Sequence, residues 1–277
     1  MIGQAMAERL ARAHPCYSEG ARERHGRIHL PVAPACNLGC SYCERSIGPR
    51  AAGSGPGSAR RVLSPDEAAE RVLAVARRGW LRVVGIAGPG EPLANPQTLE
   101  TLRRVRALHP ELLLCLSTNG LRLAESLPEL LDAGLSALTV TINTTREETA
   151  SHIYAWAEID GTRVVGPAAA AAVLLRQWRG LEAALDAGLL VKVNSVLIPG
   201  INDDDVVDVA RRAAALGAHR HNIMPLLPRG RMRHRRAPTA SELETAQARA
   251  GRWLRQFRSC TQCPADVIAP PLAEGGS

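Results

Sequence analysis

The sequence predicts an α/β fold, an open or partial (β/α)6 TIM-like barrel with a short C-terminal extension made of one helix and a C-x2-C pair. Three observations predict it. Apolar strand-like runs alternate with helical patterns at roughly 25 to 50 residues, the mark of strand–helix units rather than of two separate layers. The segments between the runs carry helix start and stop signals. The loops that follow the runs collect cysteine, glycine, asparagine and threonine, and in such barrels the ligand site lies at the C-terminal strand ends.

The strands are expected at 27–33, 81–87, 111–116, 136–143, 189–197 and 219–226. Ser64, Pro65 and Glu67 form a capping box with proline in the first turn of a helix that stops at Gly79. Asn95 and Pro96 open the next helix, and Ser126 with Pro128 opens the third. An alanine-rich helix is expected from Ala168 to Asp186 before Gly188, another from Asp203 to Leu216 before Gly217, and a last one from Ser241 to Phe257. These divide the chain into an N-terminal extension (1–26), a barrel (27–228) and a C-terminal helix with its C-x2-C tail (229–277). The Gly-, Ala-, Ser- and Pro-rich stretch from Ser46 to Ser58 is expected to be a lid or a degenerate loop, and the tail beyond Val267 to be poorly ordered.

With 277 residues, 45% hydrophobic and 22% charged, the chain can bury a full core. Aromatic residues make up only 3%, which leaves little material for base-stacking platforms. The net charge of +7 comes almost wholly from arginines scattered along the chain, Lys192 being the only lysine, so no nucleic-acid partner is expected. The densest run, Arg229 to Arg236, reads as a solvated loop. No apolar run approaches the ~20 residues of a membrane span, and the N-terminus has charges where a signal peptide needs an apolar stretch. A cytoplasmic protein is expected, in which the seven cysteines are ligands or buried fillers rather than disulfides.

Cys36, Cys40 and Cys43 stand as C-x3-C-x2-C directly after the first strand. Three thiolates at these offsets can hold three irons of a 4Fe-4S cube and leave the fourth open, which is what a reactive cluster requires. Zinc is the competing reading, but a zinc site asks for four closed ligands, usually as two short pairs. An open iron needs a chelating ligand, and the amino acid end of S-adenosylmethionine supplies an amine and a carboxylate. Gly90 and Glu91, in Gly88-Pro89-Gly90-Glu91-Pro92, are placed to meet the amine, a plain turn being the alternative. Strand parity adds Cys115, Ser117 and Asn119, then Thr139, Thr141 and Asn143, then Lys192, Asn194, Val196 and Ile198. Polar groups repeated on the inner face are costly unless satisfied, so they point to a polar ligand. Lys192 is either paired inside the site or stands at a strand entrance with its head in water. Cys260 and Cys263 are too few for a metal site alone, and Cys16, Cys115 and His14 are the available partners.

Taken together these motifs resemble the radical S-adenosylmethionine enzymes, and within them the NifB family of nitrogenase cofactor biosynthesis. The resemblance rests on His14-Pro15-Cys16, APACNLGCSYC (33–43), VVGIAGPGEPLANP (83–96), LCLSTNG (114–120), VTINT (140–144), VKVNSVLIPGIND (191–203), HNIMPL (221–226) and the final C-x2-C, and so covers nearly the whole chain. It implies a partial barrel of the radical S-adenosylmethionine type and the fusion of two 4Fe-4S clusters, with a carbon from the methyl group of S-adenosylmethionine and one added sulfur, into an eight-iron core. Under the resemblance Cys36, Cys40 and Cys43 hold the reductive cluster. His14, Cys16, Cys115, Cys260 and Cys263 help to hold two precursor clusters, and Gly90, Glu91, Ser117, Asn119, Thr141, Ile142, Asn143 and Asn194 line the S-adenosylmethionine site. The implied partners are iron-sulfur cluster donors and a carrier or scaffold for the product. The chain departs from the family after the triad, where another cysteine and a glutamate are usual: no cysteine or acidic residue follows Glu44 before Asp66. The resemblance leaves Glu44 or a small-molecule thiol as substitutes for that ligand, or a weakly held cluster.

Overall fold

A computed structural model describes residues 4–51 and 55–272. The chain enters through two helices, α1 (Gln4–Ala13) and α2 (Glu19–Arg24), joined by a turn that carries His14 and Cys16. Ala7, Ala11 and Tyr17 pack in a small cluster with Ala137 and Leu190 of the main sheet. The Tyr17 hydroxyl donates to the carbonyls of Leu138 (2.6 Å) and Leu190 (3.1 Å), so the entry turn is bolted to two strands.

Strand β1 (Gly26–His29) is followed by the short β2 (Leu38–Cys40), then β3 (Ser46–Ile47) and β4 (Ser58–Ala59), which pair in parallel. The stretch expected to be a lid is thus partly structured, although residues 52–54 lie outside the described residues. Strand–helix units follow: α3 (Pro65–Ala76), β5 (Leu81–Ile86), α4 (Gln97–Leu108), β6 (Leu113–Thr118), α5 (Leu123–Asp132) and β7 (Leu135–Thr141). The Ser64 and Glu67 capping box forms as its sequence requires. Helix α5 begins at Leu123, so Pro128 lies inside it rather than in its first turn. The buried Leu123, Leu127 and Leu130 form one face of that helix, and this packing outweighs the proline signal.

Between β7 and the long α7 (Gly166–Asp186) the chain inserts α6 (Glu147–Ile153) and a hairpin of β8 (Tyr154–Ile159) and β9 (Thr162–Val164). Strand β8 pairs antiparallel with β2, bringing Tyr154 opposite Cys40. Strand β10 (Leu190–Leu197), α8 (Asp205–Ala215), β11 (Arg220–Pro225), α9 (Ala240–Gly251) and β12 (Ile268–Ala269) complete the described chain. Helix α9 ends well before Phe257 because the chain beyond it turns to bond the edge of β11: His221 N donates to Arg255 O and Phe257 N to His221 O. The expectation of a poorly ordered tail is corrected at Ile268 and Ala269, which pair antiparallel with β1.

Among the described residues the main sheet has seven strands in the order β11-β10-β7-β6-β5-β1-β12, parallel except for β12. It curls into a partial barrel whose outer face is covered by helices, with a continuous core from Ile28 to Leu254. Register stacks the inward side chains in layers. His29, Gly85 and Cys115 form one layer, Ser117, Thr139 and Lys192 the next, and Thr141, Asn194 and Asn222 the third. No helix among the described residues is long and apolar enough to cross a membrane.

Candidate functional site

The layers open into a cavity of about 310 Å³ lined by all seven cysteines, none of which is in a disulfide. The triad's position is set by the loop after β5. Gly90 N donates to Ala33 O (2.6 Å), Glu91 N to Ala35 O (2.8 Å), and the Asn95 side chain bonds both the N–H and the carbonyl of Ala35. That clamp fixes the residue before Cys36. An ideal Cβ on Gly90 would lie 2.1 Å from Ala35 O, so only glycine allows the approach. Cys43 N bonds Cys40 O, and the 230–232 turn closes over the loop, Met232 N donating to Ser41 O and Gly230 (φ 55°) leaving no room for a Cβ, which would lie 2.6 Å from Cys43 O.

Burial lifts all three triad thiols. Cys36 is pushed up to about 11, and Cys40 well above its ordinary value, with the neighbouring Cys43 adding to the rise. Cys43 rises less because Arg45 and Arg229 oppose the effect of burial. The metal-free thiols are therefore protonated at neutral pH, and each ligation would release a proton. Among the described residues no three of His, Cys, Asp and Glu close around one point as a single ion would need. By kind and number, the three thiols on one loop are donors for three irons of a cube and one short of the four closed ligands of a structural zinc site.

Glu91 is buried, and burial pushes its carboxyl up to about 7 although Thr118, Asn119 and Leu93 all donate to it. Thr118 Oγ1 and Leu93 N reach Oε1 at 2.5 and 3.0 Å, and Asn119 N reaches Oε2 at 2.7 Å. Its carboxylate thus ties the β5 loop to the end of β6 in addition to facing the cavity. Gly90, Ser117, Asn119, Thr141 and Asn194 line the cavity wall. Ile142 and Asn143 do not line it. Ile142 is fully buried with its N–H on Asn194 O, and Asn143 stands behind the wall, holding the hydroxyls of Tyr42 and Tyr154, which do line it. Gln177 of α7 was not foreseen: its Nε2 bonds the carbonyls of Asn119 and Thr141, 3.0 Å each, and so locks two strand ends together.

The same cavity is lined by Cys16, Cys115, Cys260 and Cys263 with Arg27, Lys192 and His29. His14 does not reach it. Its Nδ1 accepts from Cys16 N at 3.1 Å, its ring packs edge-on against Tyr17, and its buried Nε2 has no partner. With Nδ1 an acceptor the proton sits on Nε2, so this arrangement offers a donor and not a ligand lone pair. His29 is the reverse. Its Nδ1 lies 3.3 Å from the carbonyl oxygen of Pro264, which can only accept, leaving Nε2 unprotonated on a ring that lines the cavity. Burial, with Arg27 nearby, lowers His29 to about 4, so it is neutral at physiological pH. Gly85 sits in register between His29 and Cys115, and the His29 ring fills the place a side chain there would take: an ideal Cβ on Gly85 would lie 3.0 Å from His29 Cδ2 and 3.5 Å from its Nε2. Cys115 is pushed up to about 12 by burial and by Cys16, with Lys192 opposing. Burial acts upward on Cys263 too, but the Arg27 guanidinium and the Thr261 hydroxyl hold it below its ordinary value.

The family model of the radical SAM superfamily matches residues 30–213. The chain is 38% identical to the FeMo cofactor biosynthesis protein NifB of Methanocaldococcus jannaschii over 260 residues, covering 94% of this chain and 86% of that protein. The chain belongs to the NifB family of radical SAM proteins. Klebsiella pneumoniae NifB is 46% identical over 266 residues, 93% of this chain but 57% of that protein, so the chain spans little more than half the length of this bacterial NifB relative. Among solved structures, Streptococcus suis SuiB bound to S-adenosylmethionine superposes with a TM-score of 0.57 at 14% identity, over 94% of this chain and 57% of that one. Methylornithine synthase gives 0.52 at 14%, over 98% and 83%. Both share the fold. Radical SAM membership brings a 4Fe-4S cluster and S-adenosylmethionine, for which the three triad thiols and the polar strand ends of this NifB-family cavity are fitting donors.

Proposed function

We propose that this protein is a lyase-type radical S-adenosylmethionine enzyme of nitrogenase cofactor assembly. Its substrates are two 4Fe-4S clusters, which it joins, with a carbon from the methyl group of S-adenosylmethionine and one added sulfur, into an eight-iron core. The observation that carries this reading is that all seven unpaired cysteines, the triad and four more thiols, line one cavity. The resident cluster, when bound by Cys36, Cys40 and Cys43 with S-adenosylmethionine on its open iron, supplies the single electron that splits S-adenosylmethionine.

The chain's own residues bind, orient and exclude water. The backbone around Gly90 and the cavity face of Glu91 meet the amine, while Ser117, Asn119, Thr141 and Asn194 offer polar contacts along the strand ends. Tyr42 and Tyr154, held by Asn143, and Leu38 form an apolar wall. Cys16, Cys260 and Cys263 around Arg27 form one substrate-cluster cradle, and Cys115 with His29 forms the other, His29 taking the role the resemblance gave to His14. That second cradle has fewer protein donors, since no cysteine or acidic residue follows Glu44 before Asp66, and Glu44 lines the same cavity. This shortfall favours a second reading, a diverged radical enzyme acting on another substrate. The working setting is the cytoplasm, with cluster donors upstream and a carrier or scaffold protein receiving the product.

Anaerobic reconstitution with iron and sulfide, followed by reductant and S-adenosylmethionine, tests both. The first reading expects iron beyond one cube per chain and both 5′-deoxyadenosine and S-adenosylhomocysteine. One cube with 5′-deoxyadenosine alone supports the second reading, and absence of any cleavage sinks both.

A further inference from the structure

The cavity walls carry four fixed cations, Arg22, Arg27, Lys192 and Arg229, against two carboxylates, Glu44 and Glu91. Two of the cations are deep. Lys192 is 4% exposed and Arg27 is 7% exposed. Neither has a carboxylate within salt-bridge distance among the described residues. Lys192 Nζ donates to Cys16 O at 3.1 Å and sits 5.3 and 5.1 Å from the rings of Tyr17 and Phe257. Arg27 Nη2 donates to Cys263 Sγ at 3.1 Å and lies 3.5 Å from Thr261 Oγ1, while its buried Nε has no partner.

A buried charge without a counter-charge is strongly destabilising, and a carbonyl or an aromatic face only softens the penalty. Two such cations in one cavity therefore mark a place meant for negative charge. Each is tethered to a different cysteine-bearing segment, the entry turn and the C-terminal C-x2-C, so the negative charge belongs between those segments. A thiolate-bound iron-sulfur cluster has that sign and that attachment. Two of them side by side would repel each other.

We infer that Lys192 and Arg27 are the fixed counter-charges for anionic iron-sulfur clusters on the surrounding cysteines, positioning residues that allow two such clusters to lie together and that raise their reduction potentials. The inference rests on the functional reading above and adds the groups that make it electrostatically feasible. A cation beside a cluster favours the reduced, more negative form, so removing it moves the potential down.

The test uses full-length protein, reconstituted anaerobically, as wild type, Lys192→Met, Lys192→Arg and Arg27→Gln. Iron per chain, midpoint potentials from spectroscopic redox titration and the melting temperature of the metal-free protein are measured. Lys192→Met is expected to lose iron beyond one cube, or to keep it at more negative potentials, with Lys192→Arg restoring most of either property. Its metal-free melting temperature should not fall, because an uncompensated buried charge has gone. Arg27→Gln should shift the same two readouts in the same direction, which keeps the question open to test should either Lys192 variant misfold. Wild-type loading and potentials in both Lys192→Met and Arg27→Gln overturn the inference alone. A lowered metal-free melting temperature with iron loss that arginine does not restore assigns Lys192 a structural role and also overturns it. Wild-type protein that never exceeds one cube overturns the functional reading, and the inference with it.

Discussion

Replacing Glu91 by glutamine should change how the metal-free protein responds to pH. Glu91 is buried with its carboxyl raised from 4.5 to about 7, burial being the first cause. Because the folded pKa is the higher one, the folded state holds a proton that the unfolded state has released between those values. Stability from this group is fully present below pH 4.5 and is lost as pH rises through about 7. At about 1.36 kcal/mol per pKa unit the loss amounts to about 3 kcal/mol. Glutamine does not titrate, but its amide NH2 would point at one or more of the three donors that converge on the carboxylate, a mismatch worth about 1–3 kcal/mol. The variant should therefore be the less stable protein near pH 4.5, with the gap closing by about 3 kcal/mol by pH 8. Urea unfolding of metal-free, reduced wild type and Glu91→Gln across that range measures the gap directly. The buried histidines His14, His29 and His221, all lowered by burial, add a pH dependence common to both proteins, so it cancels in the difference. A gap that stays constant or widens as pH rises would refute the reasoning.

Gly90→Ala should destabilise by about 3 kcal/mol or more, because its Cβ would meet backbone atoms of Ala35 and Pro34 that cannot move without displacing Cys36; chemical unfolding and iron loading should fall together. Tyr17→Phe removes the donor to two buried carbonyls and should cost about 2 kcal/mol in urea unfolding. His29→Ala should reduce iron bound beyond the first cube, whereas His14→Ala should leave iron content near wild type, both read by metal analysis; equal losses would return His14 to the ligand set.

Strands such as Leu81–Ile86 and Leu190–Leu197 were legible because each is mostly a run of buried aliphatics ending in a polar loop. The cysteine triad and the Gly90 loop were legible because few backbones tolerate such residues at such spacing. The insertion of α6, β8 and β9 was not, since its strands alternate weakly and its stability comes from pairing with the cysteine loop, a contact far away in sequence. His14 drew attention because it adjoins Cys16, yet adjacency in sequence turned it into the backbone, while His29 was passed over. A signal for His29 existed. Arg27 and His29 share one parity in an otherwise apolar run, the same alternation that exposed Thr139 and Thr141, and the rule applied to β6, β7 and β10 extends to β1. Asn143 shows the limit of parity: it lies beyond the end of β7 at Thr141, and its buried side chain accepts from Val196 N instead of lining the cavity.

The segment from Phe257 to Ala269 seals the β1 side of the cavity, with Cys260 and Cys263 on it and Ile268–Ala269 paired to β1. During synthesis this segment emerges after every other wall is already outside the ribosome. Until then the triad loop can assemble while the β1 side stands open, with Cys16, Arg27 and His29 exposed along an unpaired strand edge. Of the barrel's walls this one is made last, and a chain cut short before Cys260 keeps the radical SAM core while lacking that wall.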